Sequence, residues 1–176
     1  MKFLVSIQCE GSGFMYIRKS LEKDLEKILK IYEAARDFMA QNGNPTQWGD
    51  SYPTAELIKG DIEKDGYVVV EDDEIVGVFV LEKNAAEEAY KNIDGAWLDD
   101  KPYGVVHRCA SGGTCRGVGK FLLNWCFDMT GNIRIDTHEN NSPMIKLLTE
   151  NGYRYCGKIC YLQAGERIAY QKNIVE

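Results

Sequence analysis

A glycine-rich segment with two basic residues is the part of this 176-residue chain whose composition most directly suggests chemistry. It runs from Ser111 to Lys120, between a β-branched stretch and an apolar helical pattern. A glycine-rich turn that leads into a helix exposes unpaired backbone N–H groups at the positive end of the helix dipole, which favours a phosphate. Arg116 and Lys120 would add positive charge there. The segment therefore predicts an anion site, although a tight strand-to-helix turn without a ligand would have a similar composition.

Two other phosphate-binding motifs do not fit this segment. A P-loop requires a glycine where the chain has Thr114 and a hydroxyl residue where it has Phe121. A dinucleotide-binding fold requires its glycine motif after the first strand, with an acidic residue about twenty positions later. Here the segment follows the fourth predicted strand, so a nucleotide-binding switch domain is disfavoured.

Four helices are expected around this segment from the spacing of apolar residues. The first runs from Leu25 to about Gly43, and a shorter one covers Ala55 to Lys64. Apolar side chains from Val118 onward recur at steps of three and four until Gly131, which predicts a helix packed on a sheet. The last helix begins at Ser142-Pro143 and ends at Asn151-Gly152.

Seven strands are expected between and after these helices, and they cover 16–18, 66–71, 74–81, 103–110, 133–137, 153–160 and 167–172. Asp72-Asp73 joins the second and third strands in an antiparallel hairpin, and residues 84–102 are an irregular insertion with a helical turn or two. The element order predicts a single α/β (α+β) domain with a mixed, mostly antiparallel sheet and helices on both faces.

The succession of strand, Thr114-x-x-Gly117-x-Gly119, amphipathic helix, strand, Asn141, helix and Gly152-Tyr153 resembles the GNAT superfamily of N-acetyltransferases, in the form of a stand-alone bacterial-type member. The resemblance covers about residues 15 to 172. It implies that acetyl-CoA is the cosubstrate, with its pyrophosphate on the loop and its pantetheine arm along the preceding strand. The implied cofactor-binding residues are Arg108, Cys109, Ala110, Thr114, Cys115, Arg116, Gly117, Val118, Gly119, Lys120 and Asn141.

Two residues depart from the family pattern. Thr114 stands where the family usually has Gln or Arg, but the backbone donors of the loop remain. Leu148 stands where the family often has the tyrosine that protonates the departing thiolate. The general acid is therefore open, with Tyr153 and Tyr155 as alternatives, although Tyr153 stands where the family keeps a core aromatic.

The resemblance also places the thioester where two strands of the sheet separate, near Cys109 and the segment 136–141. His138 and Glu139 are therefore candidates for proton transfer, and a backbone N–H near Cys109 is a candidate oxyanion donor. Alternatively, His138 and Glu139 cap the following helix or face water. No base is spaced to activate the Cys109 thiol, so direct transfer is expected rather than an acyl-enzyme.

The acceptor pocket is expected to include Trp48 and His107. Trp48 lies in the loop where the family usually forms this pocket, and its ring could hold an amine cation or pack over the core edge. His107 shares a strand face with Cys109 and either reaches the cleft or is structural. The expected acceptor is a primary amine of a small molecule or peptide; the alternative function is a catalytically weak acyl-CoA-binding regulatory module.

Composition limits the other partners. The net charge of −6 and pI near 5.1 argue against nucleic acid, and no apolar run is long enough for a membrane span or a secretory signal. The six cysteines are irregularly spaced, which favours reduced thiols in the cytoplasm and no metal site. We expect one N-acetyltransferase domain at 15–173, as a monomer or homodimer. Residues 1–14 would be an extension: an upstream translated segment, a cloning remnant or an extra edge strand.

Overall fold

Four α-helices and nine β-strands make up the part of the chain that the computed structural model describes, residues 7–8 and 14–174. The helices are α1 (Leu25–Gln41), α2 (Ala55–Glu63), α3 (Val118–Thr130) and α4 (Ser142–Glu150). The strands are β1 (Ile7–Gln8), β2 (Phe14–Lys19), β3 (Gly66–Glu71), β4 (Glu74–Glu82), β5 (Asp94–Gly95), β6 (Gly104–Ser111), β7 (Asn132–Thr137), β8 (Arg154–Tyr161) and β9 (Gly165–Asn173). Short 3-10 helices occur at Glu22–Asp24 and Glu88–Asn92.

The strands form one mixed sheet in the order β1-β2-β3-β4-β6-β7-β9-β8-β5. All neighbouring strands are antiparallel except β6 and β7, which run parallel. The predicted fold class is therefore confirmed. Strands β1 and β5 were not among the seven predicted strands, because a two-residue strand carries no periodicity. Cys9 and most of the segment 1–14 lie outside the described residues.

Helices cover both faces of the sheet, and strand β3 shows how the sequence achieves this. Successive side chains of a strand point to opposite faces. Val69 packs in the core formed with α3 and α4, whereas Val68 and Val70 pack in the core formed with α1 and α2. The buried Leu148 of α4 belongs to the first of these cores.

The insertion at 84–102 builds a third, smaller core over the other end of the sheet. Tyr90, in the 3-10 helix of the insertion, packs there with Val105 and Ile159. The insertion also covers Arg134 of β7, whose guanidinium lies 4.3 Å from the ring centre of Trp97. This segment, expected to be irregular, therefore buries one end of β7.

The described residues were searched for membrane-spanning helices, disulfides and metal sites. None of their helices has the length and apolar character needed to cross a membrane. The cysteines among them are free thiols. Within these same ranges, no three side chains of His, Cys, Asp or Glu are grouped as a metal ion would require.

Candidate active site

A gap opens in the sheet between β6 and β7. The two strands are paired only at Gly104 with Ile133 and at Val105 with Arg134, and beyond these pairs they separate. Two cavities lie at the gap. The tyrosine cavity, of about 300 Å³, is lined by Trp48, Tyr52, Asp136 and Tyr161 among others. The loop cavity, of about 450 Å³, is lined by residues that include Ala110, Gly112, Gly113 and Gly119.

The two cavities meet at four shared residues, which are Met39, Cys109, Asn141 and Met144. Cys109 comes from β6, Asn141 precedes α4, and Met39 lies on α1. The junction is therefore bounded by the sheet and by helices of both faces. A molecule in one cavity would contact a molecule in the other at this junction.

Strand β6 has a β-bulge at the junction. Val80 pairs with His107 and Val78 with Ala110, so Arg108 and Cys109 stand opposite Phe79 alone. A bulge interrupts the ladder and leaves a backbone group unpaired. Arg108 adopts φ +48°, a left-handed conformation that is uncommon for a residue with a side chain.

Three side chains hold Arg108 in this conformation. The Tyr32 hydroxyl donates a hydrogen bond of 2.9 Å to the Arg108 carbonyl oxygen. The Arg108 guanidinium donates two bonds, of 2.8 and 2.7 Å, to the carboxylate of Asp61. A longer contact of 3.4 Å reaches the Tyr52 hydroxyl. The guanidinium is thus already engaged by the carboxylate of Asp61 on the α2 side.

The glycine segment needs its glycines for two different reasons. Gly113 and Gly117 have φ of +76° and +81°, in the left-handed region that glycine adopts without a steric penalty. Gly119 has no positive φ; a Cβ there would lie 2.7 Å from Cδ2 of Leu147, so glycine permits close packing of α3 on α4. The exposed side chains of Arg116 and Lys120 have no hydrogen-bond or ion-pair partner within the described ranges. Both charges are available to an anion.

A carboxylate at the wall of the tyrosine cavity is hydrogen-bonded to two phenols, of which only Tyr161 also lines the cavity. Oδ2 of Asp136 accepts hydrogen bonds from the hydroxyls of Tyr90, at 2.8 Å, and Tyr161, at 2.9 Å. Burial raises the pKa of Asp136, while the two tyrosine hydrogen bonds and the charge of Arg167 act in the opposite direction. Burial, and then the charge of Asp136, raise the pKa of Tyr161. A carboxyl group with a raised pKa can exchange a proton nearer neutral pH.

His107 and Cys109, which flank Arg108 on β6, are both uncharged at neutral pH. Burial and the charge of Arg108 lower the pKa of His107 to about 4. Its Nε2 lies 3.8 and 3.9 Å from the carboxylates of Glu82 and Glu87, beyond hydrogen-bond distance, so burial dominates. Burial raises the pKa of Cys109 to about 12, which keeps the thiol protonated and a poor nucleophile.

A solved GNAT-family acetyltransferase from Streptococcus agalactiae is 32% identical to this chain, over 92% of this chain and 96% of that one, with a TM-score of 0.83. The chain belongs to the GNAT family. The fold also matches a GNAT-family acetyltransferase from Listeria monocytogenes at 19% identity, over 96% of this chain and 99% of that one, with a TM-score of 0.70. A Salmonella typhimurium protein, solved with its cofactor acetyl-CoA, matches at 14% identity, over 92% and 95% of the two chains, with a TM-score of 0.62. A scan against models of protein families and a search of curated proteins found no match.

Several residues that the GNAT resemblance implied for the cofactor lie at the loop cavity. Cys109, Ala110, Gly119 and Asn141 line it. Val118 is buried in the core, so only its backbone could face a ligand. The remaining members differ in exposure: Thr114, Arg116, Gly117 and Lys120 are exposed, and Cys115 is half-buried with its sulfur 4.0 Å from that of Met15. Their roles in binding stay predictions.

Asn141 holds the rim of both cavities of this GNAT chain in place. Its Oδ1 accepts the backbone N–H of Met144 at 3.2 Å and caps α4. Its Nδ2 donates to Oε1 of Gln47 at 3.0 Å, in the loop that carries Trp48. The side chain of Asn141 therefore links the start of α4 to the loop after α1.

Trp48 and His107 both line the tyrosine cavity, as expected for acceptor-pocket residues. The Trp48 ring packs edge-on against Tyr32 at 5.6 Å and tilted against Tyr52 at 6.3 Å. The ring therefore packs against the core and also bounds the cavity, and its binding of an amine cation stays a prediction.

The roles of the two candidates for proton transfer stay predictions. His138 and Glu139 are not among the residues that line either cavity, and Nδ1 of His138 accepts the backbone N–H of Asn140 at 3.3 Å. This contact is local to the loop, and Glu139 is exposed and faces water, as in the alternative interpretation. Asp136 and Tyr161 were not among the site residues predicted from the sequence. Their polar positions next to apolar neighbours were visible, but the contact between β7 and the end of β8 was not.

Proposed function

We propose that this GNAT-family protein is an acetyl-CoA-dependent N-acetyltransferase that transfers the acetyl group directly to a primary amine of a small molecule or peptide, within one domain at 15–173. The observation that carries the proposal is the junction of the two cavities at the β6 bulge. One cavity is bounded by a glycine loop suited to a phosphate, and the other contains the carboxylate of Asp136. A donor and an acceptor could meet there.

The loop cavity would hold acetyl-CoA, which supplies the acetyl group as a thioester. The backbone N–H groups at the start of α3, together with Arg116 and Lys120, suit a pyrophosphate. The separated edge of β6 at 108–110 leaves space for the pantetheine arm to pair with the backbone. Ala110 and Gly112 present little or no side chain at this edge, and the space beside Gly112 is open, because a Cβ there would still be 3.6 Å from its nearest neighbour, Ile31. The residues present therefore fit the group.

Asp136 would take the proton of the attacking amine. A free alkylamine has a pKa of about 10.4, so it must reach the reaction uncharged or lose a proton as it attacks. The ring of Trp48 and the carboxylate of Asp136 favour binding of the amine in the tyrosine cavity. As the bond from nitrogen to the carbonyl carbon forms, Asp136 accepts the N–H proton.

The β6 bulge would stabilise the oxyanion that forms at the same time. A backbone N–H left unpaired near Cys109 can donate to the carbonyl oxygen as negative charge develops. The bond from carbon to sulfur then breaks, and the sulfur leaves as a thiolate that requires one proton. The protonated thiol of Cys109 takes no part, which agrees with direct transfer.

Release of free thiol from acetyl-CoA, measured with a panel of amines and peptides, tests this function. We expect at least one primary amine to accelerate thiol release, and acetyl-CoA to raise the melting temperature. Binding without release for any amine would favour the acyl-CoA-binding module instead. Absence of both effects would contradict both functions.

Substitutions distinguish Asp136 as the base from His138 and Glu139, the candidates predicted from the sequence. Asp136→Asn keeps an oxygen for the tyrosine hydrogen bonds but removes the base, and we expect kcat to fall by about 10²–10⁴-fold. His138→Gln and Glu139→Gln serve as matched controls and should retain most of the activity. The assignment of Asp136 is wrong if its variant stays active while the Glu139 variant does not.

A further inference from the structure

Two tyrosines donate to the same oxygen of Asp136, but they differ in their access to a substrate. Tyr90 is 2% exposed, packs in the third core and lines neither cavity. Tyr161, at the end of β8, lines the tyrosine cavity together with Asp136 and Cys109. Tyr90 can therefore act only through Asp136, whereas Tyr161 can also touch the reactants.

The other tyrosines that could replace the missing family acid are badly placed. Leu148 itself is fully buried in the α3–α4 core. The Tyr153 hydroxyl is also buried, without a hydrogen-bond partner in the described part of the chain. Tyr155 is largely exposed and packs on Tyr170. Neither Tyr153 nor Tyr155 lines a cavity.

Tyr52 is the second tyrosine that lines the tyrosine cavity, but its surroundings are unsuited to an acid that must recover its proton. Its hydroxyl oxygen contacts the Arg108 guanidinium, which is a proton donor only. Tyr161 instead adjoins a carboxyl group that can pass it a proton. Given the proposed function, we propose that Tyr161 is the general acid that protonates the departing sulfur.

The proton balance of the reaction explains why the general acid, Tyr161, should be hydrogen-bonded to the base, Asp136. A phenol is a weaker acid than a thiol, with ordinary pKa values of about 10 and 8.5, so transfer from an isolated tyrosine to the thiolate is unfavourable. Asp136 holds the amine proton at that moment. Tyr161 gives its O–H proton to the sulfur and takes the proton of Asp136, which restores both groups. The net change is one proton from nitrogen to sulfur.

The charged residues around Asp136 and Tyr161 are consistent with this proton transfer from Asp136 through Tyr161 to the sulfur. Arg167 of β9 lines the tyrosine cavity and favours the charged form of Asp136, while Glu87 opposes it. Burial raises the pKa of both Asp136 and Tyr161. The phenol therefore stays protonated at neutral pH until the thiolate forms.

Tyr161→Phe and Tyr90→Phe form a matched pair, because each removes one hydrogen bond from the same Asp136 oxygen. With acetyl-CoA and an accepted amine, we expect Tyr161→Phe to lower kcat by at least about 100-fold with little change in KM for acetyl-CoA. Tyr90→Phe should stay within about fivefold of the parent protein, since it shifts the position and the pKa of Asp136 but removes no proton donor from the cavity. Thermal shifts with acetyl-CoA confirm that both variants fold and bind.

A second acyl donor distinguishes an acid from a positioning residue. The S-acetyl ester of 4-nitrothiophenol releases a thiolate that needs little protonation. With this donor, the defect of Tyr161→Phe should shrink at least tenfold, while the defect of Asp136→Asn should persist. Tyr161→His, which supplies another proton donor, should recover part of kcat with acetyl-CoA.

The possible failures are distinguishable. Equal losses in Tyr161→Phe and Tyr90→Phe, or a Tyr161→Phe defect that is the same with both acyl donors, would overturn the role of Tyr161 and leave the N-acetyltransferase function intact. If the parent protein releases no thiol with any amine, the proposed function itself fails, and the assignment of Tyr161 fails with it.

Discussion

Replacing Asp61 by asparagine tests whether the ion pair with Arg108 maintains the β6 bulge. The side chains of Arg108 and Asp61 are 16% and 14% exposed, and both oxygens of the carboxylate are engaged. Asparagine has nearly the same shape but keeps one acceptor and no charge. The variant therefore leaves the guanidinium with one hydrogen bond and the weak contact to Tyr52.

The structure sets the size of the effect. A hydrogen bond to a charged group contributes about 1.5–3 kcal/mol, and breaking a fully buried ion pair costs about 3–5 kcal/mol. Arg108 retains some contact with water, so we expect Asp61→Asn to lower the free energy of unfolding by about 2 kcal/mol. The left-handed conformation of Arg108 carries strain of about 1–2 kcal/mol in both proteins, so the strain does not add to this difference.

Denaturant unfolding and steady-state kinetics measure the two consequences separately. The control is Asp65→Asn, which removes a surface contact of 3.6 Å to Lys19 from a carboxylate that is 49% exposed. Such pairs contribute little, so the control should change the free energy of unfolding by less than about 0.5 kcal/mol. Since the proposed oxyanion donor lies on the bulge, Asp61→Asn should also lower kcat by at least about tenfold, with less effect on KM.

Two results would refute this reasoning in different ways. Equal unfolding midpoints for the Asp61 and Asp65 variants would show that the ion pair does not stabilise the fold. A destabilised Asp61 variant with unchanged kcat would show that the bulge keeps its geometry without the pair, supported by the Tyr32 hydroxyl alone.

Two further predictions concern stability. The Arg18 hydrogen bonds, at 2.6 and 2.9 Å, lower the pKa of Asp24, so this pair should contribute about 1–2 kcal/mol above pH 4 that is lost as the pH falls through the lowered value. Unfolding measured from pH 2 to 7 should show a shallower acid slope in Asp24→Asn; identical slopes would contradict this. Gly60, on α2 with open space around it, should accept alanine with a gain of about 0.5–1 kcal/mol. Gly119→Ala should gain nothing, because its Cβ would press on Leu147, and it should weaken acetyl-CoA binding in calorimetry; equal gains at both sites would contradict the packing argument.

The elements around the loop could be predicted because their signals are local. The apolar residues of α3 recur at helical steps up to Gly131, which ends the helix with φ +70°. The hairpin between β3 and β4 turns at Asp72 and Asp73, both with positive φ, as the dipeptide suggested. Each of these features depends on neighbours within a few residues.

The bulge could not be predicted, because its causes are distant in sequence. Nothing near Arg108 in the chain indicates a left-handed residue within a strand. The conformation depends on Asp61 from α2 and Tyr32 from α1, which are 47 and 76 positions away. Only the folded structure shows that the three side chains meet.

Asp136 was overlooked for a similar reason. In β7 it alternates with the buried Ile135 and Thr137, a pattern that does not reveal what lies over the opposite face of the strand. The insertion places Tyr90 against it, however, and Tyr161 reaches it from β8. Neither contact could be predicted from the sequence, because the two tyrosines are 46 and 25 positions away from Asp136.

The substitution of leucine for the family tyrosine has a consequence for kinetics if Tyr161 supplies the acid. A tyrosine at the position of Leu148 would come from α4, separate from the base. Tyr161 instead shares a hydrogen bond with Asp136, so the two groups exchange protons as a unit and their apparent pKa values belong to the pair. Each group causes one limb of the pH–rate profile. Removing either group should therefore abolish the limb that this group causes and also shift the limb that the other group causes. A profile in which Asp136→Asn leaves the basic limb unmoved would show that acid and base act independently.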